Sequence, residues 1–266
     1  MPPASVLRAT LEYDGGRYRG WQAQVNARTV QGELVRACRE AFGRDVKVNG
    51  AGRTDAGVHA FAQVASLHGA SVKAADLGKL RQDLNDLLPP DIHVLRLDVA
   101  PPSFHARHSA GERVYRYRIS RRRTAFGKRY VYWVKDRLDA SLMQAAADLF
   151  VGRHDFGSFC ENAEGHDSTL VEVGFTSVTT PPEAPDLILF RIGASHFLWK
   201  MVRRLAGTLL EVGRGRLDVP GVRALLEARS GKPAEWTAPP SGLFLESVTY
   251  AGDPPPPPID PFRPGF

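Results

Sequence analysis

The chain has 266 residues, enough for one large domain or two of ordinary size, each able to bury a core without disulfides. Its 35 Lys and Arg against 29 Asp and Glu leave a net charge of +6, which favours a polyanionic partner over an acidic small molecule. Cys38 and Cys160 are too few for a disulfide framework, no apolar run reaches the roughly 18 residues of a membrane span, and residues 1–9 hold no apolar leader segment, so a soluble cytoplasmic protein is expected.

In chain order, residues 6–13 read as a strand that stops at Asp14-Gly15-Gly16. Val30, Leu34, Ala37, Cys38, Ala41 and Phe42 then follow helical spacing, with Thr29 as N-cap and Gly43 as stop. Residues 45–49 and 58–68 read as strands flanking a glycine-rich loop, 76–88 as a helix ended by Pro89-Pro90, and 92–99 as a strand. The second half restarts with strands at 113–120 and 129–134 and a helix at 140–150 stopped by Gly152. Strands follow near 171–179 and 187–192, then a helix on which Phe197, Met201, Leu205, Leu209 and Val212 recur about every four residues. A short helix at 218–228 and a half-buried strand at 243–250 close it. The pattern predicts an N-terminal α+β half over 1–104, a similar C-terminal half over 105–252 and a proline-rich disordered tail over 253–266.

The most informative segment is Asn49-Gly50-Ala51-Gly52-Arg53-Thr54-Asp55-Ala56-Gly57-Val58-His59-Ala60. Three glycines in eight residues, between two strands, let a ligand approach the backbone closely while one arginine and one carboxylate are held in place. The glycine pattern alone is equally that of a tight turn with a solvated Asp, and its spacing is neither the dinucleotide-binding nor the P-loop one.

Gly50 to His59 resembles the signature of the tRNA pseudouridine synthase A family. Further stretches resemble it in the same order: Glu12-Tyr13-Asp14-Gly15 with Gly20-Trp21-Gln22, Phe104-His105-Ala106-Arg107, Tyr115-Arg116-Tyr117, His154-Asp155-Phe156 with Ser158-Phe159, Met201-Val202-Arg203, and Gly242-Leu243. The resemblance implies a pseudouridine synthase fold, two similar α+β halves around a mixed, mainly antiparallel sheet with the active site in a central cleft. It also implies a homodimer that needs no cofactor and no metal and isomerises uridine at positions 38, 39 and 40 of the tRNA anticodon stem-loop.

By the resemblance Asp55 is the catalytic carboxylate, acting on C1′ or C6 as nucleophile or removing a ribose proton, alternatives the sequence does not separate. A carboxylate in a closed site stays ionised beside a cation, and Arg203, matching the family's Val-Arg pair, is the candidate. Tyr115 has the default reading of a core tyrosine; the resemblance moves it toward stacking on the target base, with its hydroxyl a candidate proton acceptor, and leaves Tyr117 in the core. Leu243 is expected in the apolar wall of the same pocket. Arg53 is the candidate to hold the gap left by a flipped base, against a structural ion pair. Phe104, His105, Ala106, Arg107 and His108 match a tRNA-contacting loop, with His105 and Arg107 on phosphates or base edges.

Lys200 and Arg204 read as solvated positions or phosphate contacts, and Arg121-Arg122-Arg123 with Lys128 and Arg129 as a basic patch, either solvated or on the tRNA backbone. His59 and His154 lack metal-ligand spacing and are expected in structural roles. Ser168-Thr169-Leu170 departs from an Arg-Thr pair of the family and puts one tRNA contact in doubt. Two other readings remain, a tRNA-binding chaperone without catalysis and a synthase for a different RNA. A glycosidase is disfavoured because the loop supplies one acid and no evident second.

Overall fold

The structure is a computed structural model that describes residues 6–70, 76–165 and 167–254. The proline-rich stretch after Pro254 lies outside the described residues. Two units emerge, one formed by the chain up to Gly111 together with Leu245–Pro254, the other by Glu112–Phe244. Among the described residues there are ten strands with flanking helices, a mixed α+β fold. Among the described residues no helix is long and apolar enough to cross a membrane.

In the first unit β1 (Val6–Tyr13) runs antiparallel to both β3 (His59–His68) and β4 (Ile92–Ala100). Strand β2 (Lys47–Gly50) pairs with β3. The period-two pattern of β1 sends Leu7, Ala9, Leu11 and Tyr13 inward, all buried. Helix α1 (Val30–Phe42) begins where the Thr29 side chain accepts from the Gly32 N–H and ends at Gly43, whose φ of 64° only glycine adopts without strain. It buries Val30, Leu34, Ala37 and Cys38, the stripe its spacing predicts. Helix α2 (Leu77–Leu87) stops at Leu88, held extended by the proline that follows.

A polar clamp closes this unit. Arg8 donates from both Nη1 and Nη2 to Asp253, each bond 2.7 Å, while its guanidinium lies 4.4 Å from the Tyr250 ring centre. Asp253 also accepts from the Tyr250 N–H, and the Tyr250 hydroxyl donates to Ala106 O at 2.8 Å. Asp253, placed by composition in a disordered tail, is therefore anchored. The Arg8 guanidinium holds the Asp253 carboxyl below its usual range. A carboxyl lowered on folding contributes stability that is present above the ordinary value near pH 4 and lost as pH falls through the folded value. Arg8→Met should cost about 1–3 kcal/mol at pH 7. Thermal melts should show that deficit shrinking towards pH 3; a pH-independent deficit would assign it to packing alone.

In the second unit β5 (Ala110–Ser120), from Glu112 on, pairs antiparallel with β9 (Leu187–Ala194), which pairs with β8 (Leu170–Thr179), and β8 with β7 (Gly152–Asp155). The two-residue β6 (Tyr132–Trp133) lies parallel to β5. Helices α3 (Ala140–Ala147), α4 (Met201–Gly213), α5 (Val219–Glu227) and α6 (Lys232–Glu235) complete it.

Three expectations change here. The strand predicted over 129–134 shrinks to β6 because Gly127, at φ 67°, starts a 3-10 turn over Lys128–Tyr130. The helix expected to carry Phe197 begins only at Met201, since Lys200 sits at φ 60° and turns the chain just before it. Strand β7 was not foreseen; Gly152, at φ 100°, both ends the preceding turn and starts it.

Candidate active site

The loop between β2 and β3 is fixed from several sides within the first unit. Ala51 N–H donates to Val64 O at 2.8 Å, Gly57 N–H to Tyr18 O at 3.3 Å, and Val58 N–H to Asp55 O at 3.1 Å. The Gln63 amide holds Gly52 O at 2.9 Å. Thr54, buried at the loop's centre, shares a 2.8 Å hydrogen bond with the Tyr13 hydroxyl, and its carbonyl accepts from the Trp21 N–H at 3.0 Å. Burial pushes the Tyr13 hydroxyl up to about 12, so it serves as a neutral hydrogen-bonding group.

Two glycines let the strand end and the loop meet backbone to backbone. A Cβ on Gly15 would sit 1.9 Å from Val58 O. One on Gly20 would sit 2.6 Å from Thr54 O and 3.1 Å from the Asp55 carbonyl carbon, and Gly20 is also at φ +93°. This gives a physical reason for the company that Tyr13-Asp14-Gly15 and Gly20-Trp21 keep with the loop: they are its mould. With Thr54 turned inward, Arg53 is exposed and Asp55 half-buried, a carboxylate on a held backbone within reach of solvent.

His59 is buried behind the loop, where its Nδ1 accepts from the Gly15 N–H at 3.1 Å. His154 bonds Val151 O through Nε2 at 2.9 Å. Both occupy structural places. Among the described residues no cluster of three or more His, Cys, Asp or Glu side chains has metal-binding geometry.

In the second unit Tyr115 is buried on β5 and meets Phe197 edge-on, ring centres 5.0 Å apart at 84°. Tyr117, two residues on, is core: its hydroxyl donates to Pro239 O at 2.7 Å and burial pushes its pKa well up. Its ring also lies 3.0 Å from where a Cβ on Gly242 would be. Arg203 is half-buried; its Nε donates to Ala238 O at 2.8 Å, and the Ala238 N–H returns to Arg203 O at 3.0 Å. The segment leading to buried Leu243 is thus tied to α4 by Arg203 and to β5 by Tyr117. Tyr117→Phe should cost about 1 kcal/mol by leaving Pro239 O short of a donor. Denaturant titration checks this; a neutral result would mean that the carbonyl finds water.

Arg204, read from the sequence as a solvated position or a phosphate contact, is not solvated. It is buried, donates to Cys160 O at 2.5 Å and pairs with Glu161, which Lys200 also holds at 3.0 Å. Lys200 foremost, with Arg204, keeps the Glu161 carboxyl below its usual range. Thr169, within the Ser168-Thr169-Leu170 departure, is likewise structural, with its hydroxyl 2.5 Å from Asp155 Oδ1. That bond is the main cause lowering the Asp155 carboxyl.

Residues 104–108 sit elsewhere on the first unit. Ala106 N–H donates to the buried Ser66 hydroxyl, Phe104 packs on Tyr250, and the His105 ring lies between those of His68 and His108. His105 Nδ1 accepts from the N–H groups of Arg107 and His108, while both of those side chains are exposed. This group is held at Ser66, near the His68 end of β3, whereas Tyr13, which bonds Thr54 of the Asp55 loop, pairs with Ala60 near the other end. Arg53 and Asp55 share one loop, and the histidine-rich group is anchored apart from it at Ser66.

A profile of the tRNA pseudouridine synthase family matches residues 9–109 and 146–251. Similar proteins include the tRNA pseudouridine synthase A of Thermodesulfovibrio yellowstonii, 37% identical over 253 residues that cover 92% of this chain and 99% of that one. The protein of the same name from Dictyoglomus thermophilum is 38% identical over 245 residues, 91% of this chain and 98% of that one. That from Brucella ovis is 40% identical over 249 residues, 92% and 97% of the two chains.

Proposed function

This chain belongs to the tRNA pseudouridine synthase family and is an isomerase of uridine in tRNA; on that premise we propose that it acts at positions 38, 39 and 40 of the anticodon stem-loop, with Asp55 carrying the reaction. The observation behind the assignment of Asp55 is that it is the half-buried carboxylate of a loop held by hydrogen bonds at Ala51, Gly52, Thr54, Gly57 and Val58 and by the close approach of Gly15 and Gly20.

Pseudouridine forms when the bond from C1′ to N1 breaks, the base turns, and C1′ joins C5. N1 gains a proton and C5 loses its own, so atoms balance without a co-reactant. Asp55 adds to C1′ or to C6, or takes a ribose proton; each needs the ionised form. In this reading Arg203 supplies the cation that keeps it ionised, Tyr115 stacks on the turned base, and Leu243 walls the pocket. Arg53 holds the gap opened when the uridine leaves its stack, and Phe104, His105, Ala106, Arg107 and His108 contact tRNA away from the reacting base. The protein works as a homodimer in the cytoplasm, without cofactor or metal.

Incubation with unmodified tRNA, followed by mapping of pseudouridine at single-nucleotide resolution, tests the positions. Product at 38 to 40 is expected; product only elsewhere would favour a synthase for another target. Tight binding with no product would move the chaperone reading to the front.

A further inference from the structure

Residues 110–145 lie between the two stretches matched by the family profile. Within them the chain leaves β5 at Ser120 and comes back to it at β6. From Arg121 to Arg137 there are seven Lys and Arg and a single Asp. Arg121, Arg122, Arg123, Lys128 and Arg129 are all exposed. Two aromatic rings stand among them, Phe126 at 84% exposure and Trp133 at 39%, and the Arg123 guanidinium lies 5.6 Å from the Trp133 ring centre. The turn that presents Phe126 is built. The Thr124 hydroxyl donates to Phe126 O at 3.0 Å and accepts its N–H at 3.2 Å, Gly127 turns at φ 67°, and Tyr130 N–H closes on Gly127 O at 2.8 Å. Asp186, itself exposed, lies 3.6 Å from Arg122.

Cations in a row bind phosphates by releasing counterions, and aromatic faces among them accept unpaired bases whatever their sequence. We propose that residues 121–133 form a second RNA-binding surface, on which Arg123 and Lys128 take phosphates of the tRNA and Phe126 receives an unpaired base. Tyr115 lies five residues before Ser120 on β5, ~16 Å at about 3.3 Å per residue. The inference rests on tRNA as the substrate.

Filter binding of the full-length protein to a tRNA transcript, over a series of salt concentrations, tests it. Lys128→Glu should weaken binding about tenfold and make the salt dependence shallower by about one ion. Phe126→Ala should weaken binding about five- to tenfold with the salt slope unchanged, because stacking releases no counterion. Lys79→Glu, an equal charge change at an exposed position on α2, should follow the wild type. Equal weakening by Lys128→Glu and Lys79→Glu would reduce the effect to net charge and overturn the proposal. So would a Phe126→Ala variant that keeps its affinity but changes sedimentation, which would give the surface to a second copy of the chain. Binding is read without turnover; these differences in a protein that forms no pseudouridine would support the surface and count against the reaction instead.

Discussion

Asp55→Asn should lower pseudouridine formation by at least about 10³-fold while the protein folds and binds tRNA as before. Asparagine matches aspartate in volume, and the half-buried position leaves no cavity and strands no large apolar group. The clamp around the loop uses the Thr54 hydroxyl and the carbonyls of Gly52, Thr54 and Asp55, none of which the substitution touches. What disappears is the charge, and with it the capacity to add to carbon or to accept a proton. Melting within a few degrees of wild type, tRNA affinity within about threefold and a collapsed rate form the expected signature. A rate loss below tenfold would remove Asp55 from the chemistry and leave it as a residue of the tRNA contact.

Gly20→Ala should damage both stability and rate from a position that bears no reactive group. Its φ of +93° costs an L side chain about 1–2 kcal/mol, and its Cβ would press to 2.6 Å from Thr54 O, which cannot yield without moving the loop. Forced repacking adds about 1–3 kcal/mol, so a total near 2–5 kcal/mol is expected. A shift of about 1 Å in a reacting group costs on the order of 100-fold in rate. Gly43→Ala is the control. Gly43 also has a left-handed φ, +64°, but nothing lies within 4 Å of its Cβ position, so it should lose only the backbone cost of about 1–2 kcal/mol and retain its rate. Equal rates for the two variants would mean that the mould around Asp55 does not set its position.

What could be read before folding follows how local each signal is. The α1 boundaries were legible because Thr29 and Gly43 act on their own neighbours. The Asp55 loop was legible as ten contiguous residues, yet the reason that Gly15 and Gly20 accompany it lies in contacts with Val58 and Thr54, more than thirty positions away. The solvated reading of Arg204 fails for the same cause. Its partner Glu161 is 43 residues distant, and a helix pattern counted from Phe197 includes four residues that are not helical. Tyr117, left in the core when the resemblance moved Tyr115 toward the base, is buried there, but its bond to Pro239 crosses 122 positions and left no local trace. The exposed Phe126 was missed because a lone phenylalanine in a basic loop has no periodicity to mark it.

The central claim is that this chain joins C1′ to C5 of uridine in tRNA by way of Asp55. The proton on C5 must leave in that step, so release of tritium from tRNA labelled as [5-³H]uridine counts turnovers directly. Wild-type protein in buffer without added metal or cofactor should release tritium in amounts matching the pseudouridine mapped in the same tRNA, and Asp55→Ala should release none above background. Tritium released by Asp55→Ala at the wild-type rate would contradict the account.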